Sequence, residues 1–352
     1  MVSNLRTLLV IVLSVALAGC GTLYLAQAAK GQLQILSARR PIPRVLADPK
    51  ADADVRKRLE VVREARAFAV RELSLPNNKS YSTYADLHRE FVVWSVVATP
   101  EFSVQPKEWC FPIVGCVAYR GYFKEKAADT FAAKLRTAGF DVTVGGVPAY
   151  STLGKFSDPI LNTMLVYGDD ELASIMFHEL SHQVVYIPND SSFNEAFAVA
   201  VEQEGLARWL KSHGRESDLV KYVKRRERQA EGMHIVSRYR EELAQLYALD
   251  LPAPEMRARK ADVFARLRAQ VEARDARAGI HSGLAQDLEG PPNNARLASL
   301  ATYFDCVPGF ERMLAAQDHD LPKFFDAVRS LAKLPREERR ARICMSEAAA
   351  GS

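Results

Sequence analysis

Residues 171–210 limit what this chain can fold into more than any other stretch. The segment Phe177-His178-Glu179-Leu180-Ser181-His182 carries two histidines four apart, with a glutamate directly after the first. On an α-helix, residues four apart stack on one face, so both imidazoles point the same way. Around them Ile175, Met176, Phe177, Leu180, Val184 and Val185 make the segment apolar nearly all round, which predicts a buried helix. Burying two histidines and a glutamate is costly unless they are paired or bound to metal. Two imidazoles on one face can hold a zinc ion, with Glu179 in reach of water at that ion. The bland alternative is a buried helix whose histidines hydrogen-bond to their neighbours.

The next stretch supplies a third ligand. The first helix is predicted over Glu171 to Val185, and Ile187-Pro188-Asn189-Asp190-Ser191 reads as a turn. A second helix then runs to about Leu210, with Ser192 or Asn194 as its cap. A short loop between two antiparallel helices puts the start of the second beside the end of the first. Glu195 can then reach an ion held by His178 and His182. Two histidines and one glutamate leave a fourth position open, the pattern of catalytic rather than structural zinc. Glu202, seven residues on, shares a face with Glu195 and reads as a partner that orients a ligating histidine. The ligand role is its alternative, and an exposed surface glutamate is the bland one.

Before this pair the chain is mixed. Residues 27–37 have helical composition, and Val55, Leu59, Val62, Ala65 and Ala69 recur at helical spacing between Asp52 and Leu73. Phe91 to Ala98 reads as a buried strand, and Gly115 to Phe123 as a second. Lys124 to Ala138 is an amphipathic helix stopped by Gly139, and Phe140 to Val144 a strand. After Gly145-Gly146, Val147 to Leu153 reads as an edge strand because of Pro148. Its Ala149, Tyr150 and Ser151 are positioned to take an extended peptide by strand addition. After the pair, Arg215 to Arg277 reads as two long surface helices broken at Leu251-Pro252-Ala253-Pro254. A further helical stretch, Asn294 to Ala315, is broken near Pro308-Gly309.

The N-terminus is of another kind. Arg6 is followed by apolar residues and then by Leu17-Ala18-Gly19-Cys20. This reads as a secretory signal over 1–19. The small residues before Cys20 resemble a bacterial lipobox, which implies a lipidated Cys20 and a membrane anchor. Gly21 follows it, and by resemblance to Gram-negative lipoproteins this places the chain at the outer membrane, facing the periplasm. Four further cysteines, Cys110, Cys116, Cys306 and Cys344, suit disulfides in an oxidising compartment. Their pairing is not readable from spacing alone. Net charge is only +4, with 47 basic residues against 43 acidic, and no nucleic-acid motif appears.

The motif His178-Glu179-x-x-His182, followed by Asn194-Glu195-x-Phe197-Ala198 and Glu202, resembles the gluzincin metallopeptidases, in particular the aminopeptidase N group. The twelve residues between His182 and Glu195 are fewer than that group has. Over nearly its whole length the chain resembles a bacterial lipoprotein family of predicted aminopeptidases. That resemblance includes Trp109 to Pro112, Tyr119 to Phe123, Gly146 to Gly154 and Asn293 to Phe310. It implies one zinc ion on His178, His182 and Glu195, with Glu179 as general base toward water at the ion. It also implies an oxyanion donor downstream of the third ligand. Tyr303 is the candidate at such a position, and Tyr150, which precedes the ligands, is the runner-up donor.

The expected fold is α+β: a small, mostly antiparallel sheet, then a gluzincin-like active-site helix pair and a larger helical part. The expected divisions are a lipidated lead-in over 20–55, an α/β part over 56–170, a helical zinc-binding part over 171–345 and a tail over 346–352. The expected function is zinc-dependent hydrolysis of a peptide or protein substrate. An envelope endopeptidase of the same chemistry and a non-catalytic zinc-binding lipoprotein are the alternatives. The aminopeptidase N group holds the substrate's ammonium with a Gly-Ala-Met-Glu-Asn segment. This chain has no such segment, and residues 147–154 contain no acid. The substrate's end therefore stays open.

Overall fold

The computed structural model describes residues 24–111, 115–149, 151–304 and 306–344. Cys20 and Tyr150 lie outside the described residues, as do the signal segment 1–19, the tail 346–352 and the side chain of Tyr303.

The chain enters through helix α1 (24–37), strand β1 (Arg39–Pro41) and one helical turn, α2 (Ile42–Leu46). Asp52 caps α3 (Ala53–Glu72) by accepting from the amides of Asp54 and Val55, satisfying two donors that a helix start leaves open. Short strand β2 (Thr83–Ala85) pairs antiparallel with β1 and parallel with β8 (Ile160–Leu161). A second sheet centres on β3 (Val93–Pro100). It is flanked antiparallel by β6 (Arg120–Tyr122) and β7 (Phe140–Val147). A two-stranded ribbon joins β4 (Trp109–Phe111) to β5 (Gly115–Val117). Helix α4 (Glu125–Thr137) covers the second sheet through Ala128, Ala132 and Leu135. The α+β expectation, with few and mostly antiparallel strands, holds.

Three expected strands come out differently. Gly115 to Phe123 is two strands, because the chain turns at Ala118-Tyr119 between them. Gly145 and Gly146 do not break β7 but lie inside it, opposite Ser95 and Trp94. The ring of Phe91 occupies the space a side chain at 146 would need. Strand β7 is the sheet's edge, yet it stops at Val147, so Ala149 and Ser151 sit in a loop and not on a strand. Pro148, which has no N–H to give a ladder, follows that end.

The helical part begins with α5 (Asp169–Ser181) and α6 (Ser191–Ser212). It continues in α7 (Glu216–Tyr247), α8 (Ala253–Ala278), the turn α9 (Gly283–Asp287) and α10 (Asn294–Phe304). The last three helices are α11 (Val307–Ala315), α12 (Leu321–Ala332) and α13 (Arg336–Ile343). The break before α11 falls ahead of Pro308, which starts the new helix and does not end the old one. The largest core joins Ile35 and Ile42 from the entry segment to Leu59 and Phe68 of α3. It continues through Phe177 of α5 and Phe197 of α6 to Phe310 and Phe324 near the C-terminus. Lead-in, sheet region and helical part therefore share one core across residues 55 and 170. No helix among the described residues is long and apolar enough to cross a membrane.

Candidate metal centre

Helix α5 owes its position to packing and to its acidic start. Leu172, Ala173, Met176, Phe177 and Leu180 are buried, and Gly205 of α6 lets the Phe177 ring approach closely. Asp169 pairs with Arg58 at 2.5 Å, and Asp170 takes both guanidinium nitrogens of Arg215 at 2.6 and 2.9 Å. The helix ends four residues earlier than its apolar pattern suggests. His182 is the capping residue and keeps αR geometry, so the i, i+4 stacking of His178 on His182 survives. Their ring centroids lie 5.0 Å apart.

The turn between the helices sets Glu195. Asn194 does not cap α6. It is buried and bridges back to Ile187, donating to the carbonyl and accepting from the amide, both at 2.8 Å. Asp190, at the start of α6, accepts from the Arg339 guanidinium at 2.6 and 3.1 Å. These two devices fix the entry of α6 and with it the direction of Glu195.

His178, His182 and Glu195 each offer one ligand atom, and these atoms lie within 4.8 Å of one another. Glu195 Oε2 is 3.3 Å from His178 Nε2 and 3.9 Å from His182 Nε2. Donors at 2.0–2.2 Å from a tetrahedral ion are about 3.3–3.6 Å apart, so the donor set fits one zinc-sized cation with small side-chain adjustments. Glu202 Oε2 is 3.0 Å from His178 Nδ1, on the far side of the same ring, and Glu202 Oε1 accepts from Ser174 Oγ at 2.7 Å. Glu202 thus addresses the nitrogen that does not face Glu195.

The electrostatics follow from burial. Loss of water opposes charge on His178, but hydrogen bonds to Glu195 and Glu202 outweigh it and hold the ring's pKa well above its usual range. His182 lacks such partners. Burial pulls it down to about 4, and its Nδ1 is a buried atom with no hydrogen bond. Burial also pushes Glu179 up to about 7, with His178 pulling the other way. Burial alone would raise Glu195, but the two histidines bring it below the ordinary carboxylate range.

Three further groups lie in the electrostatic field of this centre, and sequence periodicity did not single them out. Tyr119 is 37% exposed, with its hydroxyl in the field of Glu195 and Glu179. Loss of water, then Glu195, Tyr186 and Glu179, raise its pKa strongly. Tyr81 is buried with an unpaired hydroxyl, has a left-handed backbone (φ 61°), and lies in the field of Glu179. Its loop is tied to the end of α5: Asn78 donates to Gln183 at 2.6 Å, and Gln183 donates to Ser80 Oγ at 3.3 Å. Asp158 is a buried acid close enough to raise Glu179. Both its oxygens are taken by Thr152, at 2.7 and 2.9 Å, so it fixes the 152–158 loop and does not face a ligand.

The ribbon beside Tyr119 is clamped at two points. Cys110 and Cys116 form a disulfide, and the Cys116 amide donates to Asn189 Oδ1 at 2.5 Å. Gly115 sits at φ 74° against Asn189, where any side chain would collide. The α5–α6 turn thereby meets both the start of the helix that carries Glu195 and the ribbon that precedes Tyr119.

No curated protein and no solved structure matches this chain. The sequence model of the family described as "Putative aminopeptidase" matches residues 23–343, all but the two ends, and the chain belongs to that family.

Proposed function

We propose that the protein is a zinc-dependent peptidase of the cell envelope, anchored by lipid on Cys20. The observation that carries the hydrolytic reading is the convergence of His178 Nε2, His182 Nε2 and Glu195 Oε2, with Glu202 on the other nitrogen of His178. Such a carboxylate–histidine contact fixes the ring and its tautomer, the arrangement that accompanies metal ligation by histidine. A bound divalent ion supplies Lewis acidity there, lowering the pKa of water and polarising a carbonyl.

The chain's own groups do the rest. Glu179 lies next to a ligand on the buried helix and serves as general base, taking a proton from the attacking water onto its carboxylate. It then delivers that proton to the leaving amine. Burial favours its protonated form, which suits a group that must both accept and release a proton near neutrality. The Tyr119 hydroxyl, in the field of Glu195 and Glu179, is assigned in this proposal as donor to the oxygen on which charge builds. Tyr303 on α10 stays in the proposal as a rival donor.

Metal analysis and cleavage of a peptide library test this reading. We expect one zinc per chain and cleavage that Glu179→Gln abolishes. Absence of stoichiometric zinc refutes it, and zinc without cleavage favours a binding role. Cleavage that ignores N-terminal acetylation of the peptide assigns an endopeptidase. The anchor rests on the Leu17-Ala18-Gly19-Cys20 sequence and on the disulfides Cys110–Cys116 and Cys306–Cys344, which belong to an oxidising compartment. Cys20→Ser should release the protein from membranes, and unchanged retention refutes the lipid tether.

A further inference from the structure

A cavity of about 430 Å³ opens at the start of α6, and its wall carries Arg240, Arg336 and Arg340 against one acid, Glu108. Ser191 and Ser192 also line it. They precede Glu195 by four and three residues, so they share its helix face. At 1.5 Å of rise per residue the cavity begins about 5–6 Å along the helix from that ligand. Ala118, the residue before Tyr119, is part of the same wall. The cavity therefore lies beside the start of the helix that carries Glu195 and next to the residue that precedes Tyr119, although none of the candidate ligands lines it.

The arginines are held in place. Arg339, between Arg336 and Arg340, is buried and locked onto Asp190, and Cys344 at the end of α13 is bonded to Cys306. With the helix fixed on both counts, Arg336 and Arg340 stand one turn apart on one face. Their charge is barely compensated. Arg336 reaches Glu108 only at 3.9 Å, and Arg340 has no ion-pair partner among the described residues. A guanidinium fork is the side chain best matched to a carboxylate.

We infer that this cavity binds a carboxylate of the peptide substrate, one to three residues from the bond that is cut. The reach follows from an extended chain's rise of about 3.3 Å per residue. The inference rests on the peptidase reading for its choice of ligand. The carboxylate belongs to the peptide's C-terminus or to an Asp or Glu side chain, and the test separates these sources.

The experiment measures binding by calorimetry to the full-length, zinc-loaded Glu179→Gln protein, so that no ligand is consumed. The probes are Ala-Ala-Ala with a free C-terminus, its C-terminal amide, and Ala-Asp-Ala amide. Preference for the first assigns the C-terminus, and preference for the third assigns a side chain. In either case we expect the carboxylate-bearing peptide to bind about 10-fold tighter than Ala-Ala-Ala amide. Adding Arg336→Gln and Arg340→Gln should erase that difference and leave the amide's affinity unchanged. Both arginines are exposed, and a thermal melt checks that the variant folds. Equal binding of all three peptides, binding of none, or a difference that survives the double substitution overturns the inference. Failure of the peptidase reading looks different: the wild-type protein cleaves nothing while carboxylate discrimination remains.

Discussion

At the scale of single residues, the centre sorts its groups by distance along the chain. His178 and His182 were legible because their relation is local: one helical turn puts both on one face. Glu195 was legible because only a short turn separates the helices. Glu202 was legible as a partner, and its contact with His178 Nδ1 at 3.0 Å gives a direct expectation. Glu202→Ala should weaken zinc binding about 10- to 100-fold, read by competition with a colorimetric chelator. An unchanged affinity would mean that helix packing alone orients the ring. Tyr119 was not legible, because its approach depends on how a distant ribbon docks. The available cue was the pair Cys110 and Cys116 flanking Gly115. Tyr119→Phe should lower kcat about 100-fold with KM and zinc content little changed. A kcat within twofold of wild type would make Tyr119 a packed aromatic and return the donor's role to Tyr303.

At the scale of elements, periodicity found the helices and mislaid their ends. The apolar run to Val185 outlasts α5, which stops at Ser181, and the expected cap at Asn194 is instead a brace on the preceding turn. Hydrophobic spacing reports which face is buried and says little about where a buried side chain finds its hydrogen bonds. The brace carries its own expectation. Asn194→Ala strands the amide and carbonyl of Ile187 together and should cost about 2–4 kcal/mol by urea titration. A loss below about 0.5 kcal/mol would show that the turn holds without it. The far end of α6 is tied by His213, whose Nδ1 donates to the Trp209 carbonyl at 2.7 Å while Nε2 meets Glu64 at 3.0 Å. Burial opposes the charge on this ring, but both partners favour it and raise its pKa. A raised pKa stabilises the fold fully below the unfolded value and loses that stabilisation as pH rises through the folded one. His213→Ala should therefore cost more at pH 5.5 than at pH 9. The difference should be about 0.5–1 kcal/mol, since the ring is screened by solvent. Equal costs at the two pH values would leave only packing against Trp209.

At the scale of the whole molecule, the α5–α6 pair is supported by chain from both ends of the described residues. The shared core runs from Ile35 to Ile343 and takes in side chains from both sides of residue 170. Composition and spacing could not show this, because it depends on which faces meet across more than a hundred residues. The Cys306–Cys344 bond closes the C-terminal wrap, which meets α6 through Arg339 and Asp190. Its sequence separation of 38 implies about 4 kcal/mol from restricting the unfolded chain. The Cys110–Cys116 bond, with a separation of 6, implies about 2 kcal/mol by the same reasoning. The two bonds should then fail differently. Cys306→Ser with Cys344→Ser should lower stability by the larger amount and leave kcat near wild type at temperatures where the variant is folded. Cys110→Ser with Cys116→Ser should cost less stability but loosen the ribbon beside Tyr119, so kcat falls while zinc content holds. Urea titration and steady-state kinetics on both pairs decide the matter. If the long-loop variant loses activity while folded, the C-terminal wrap shapes the centre directly and does more than brace it.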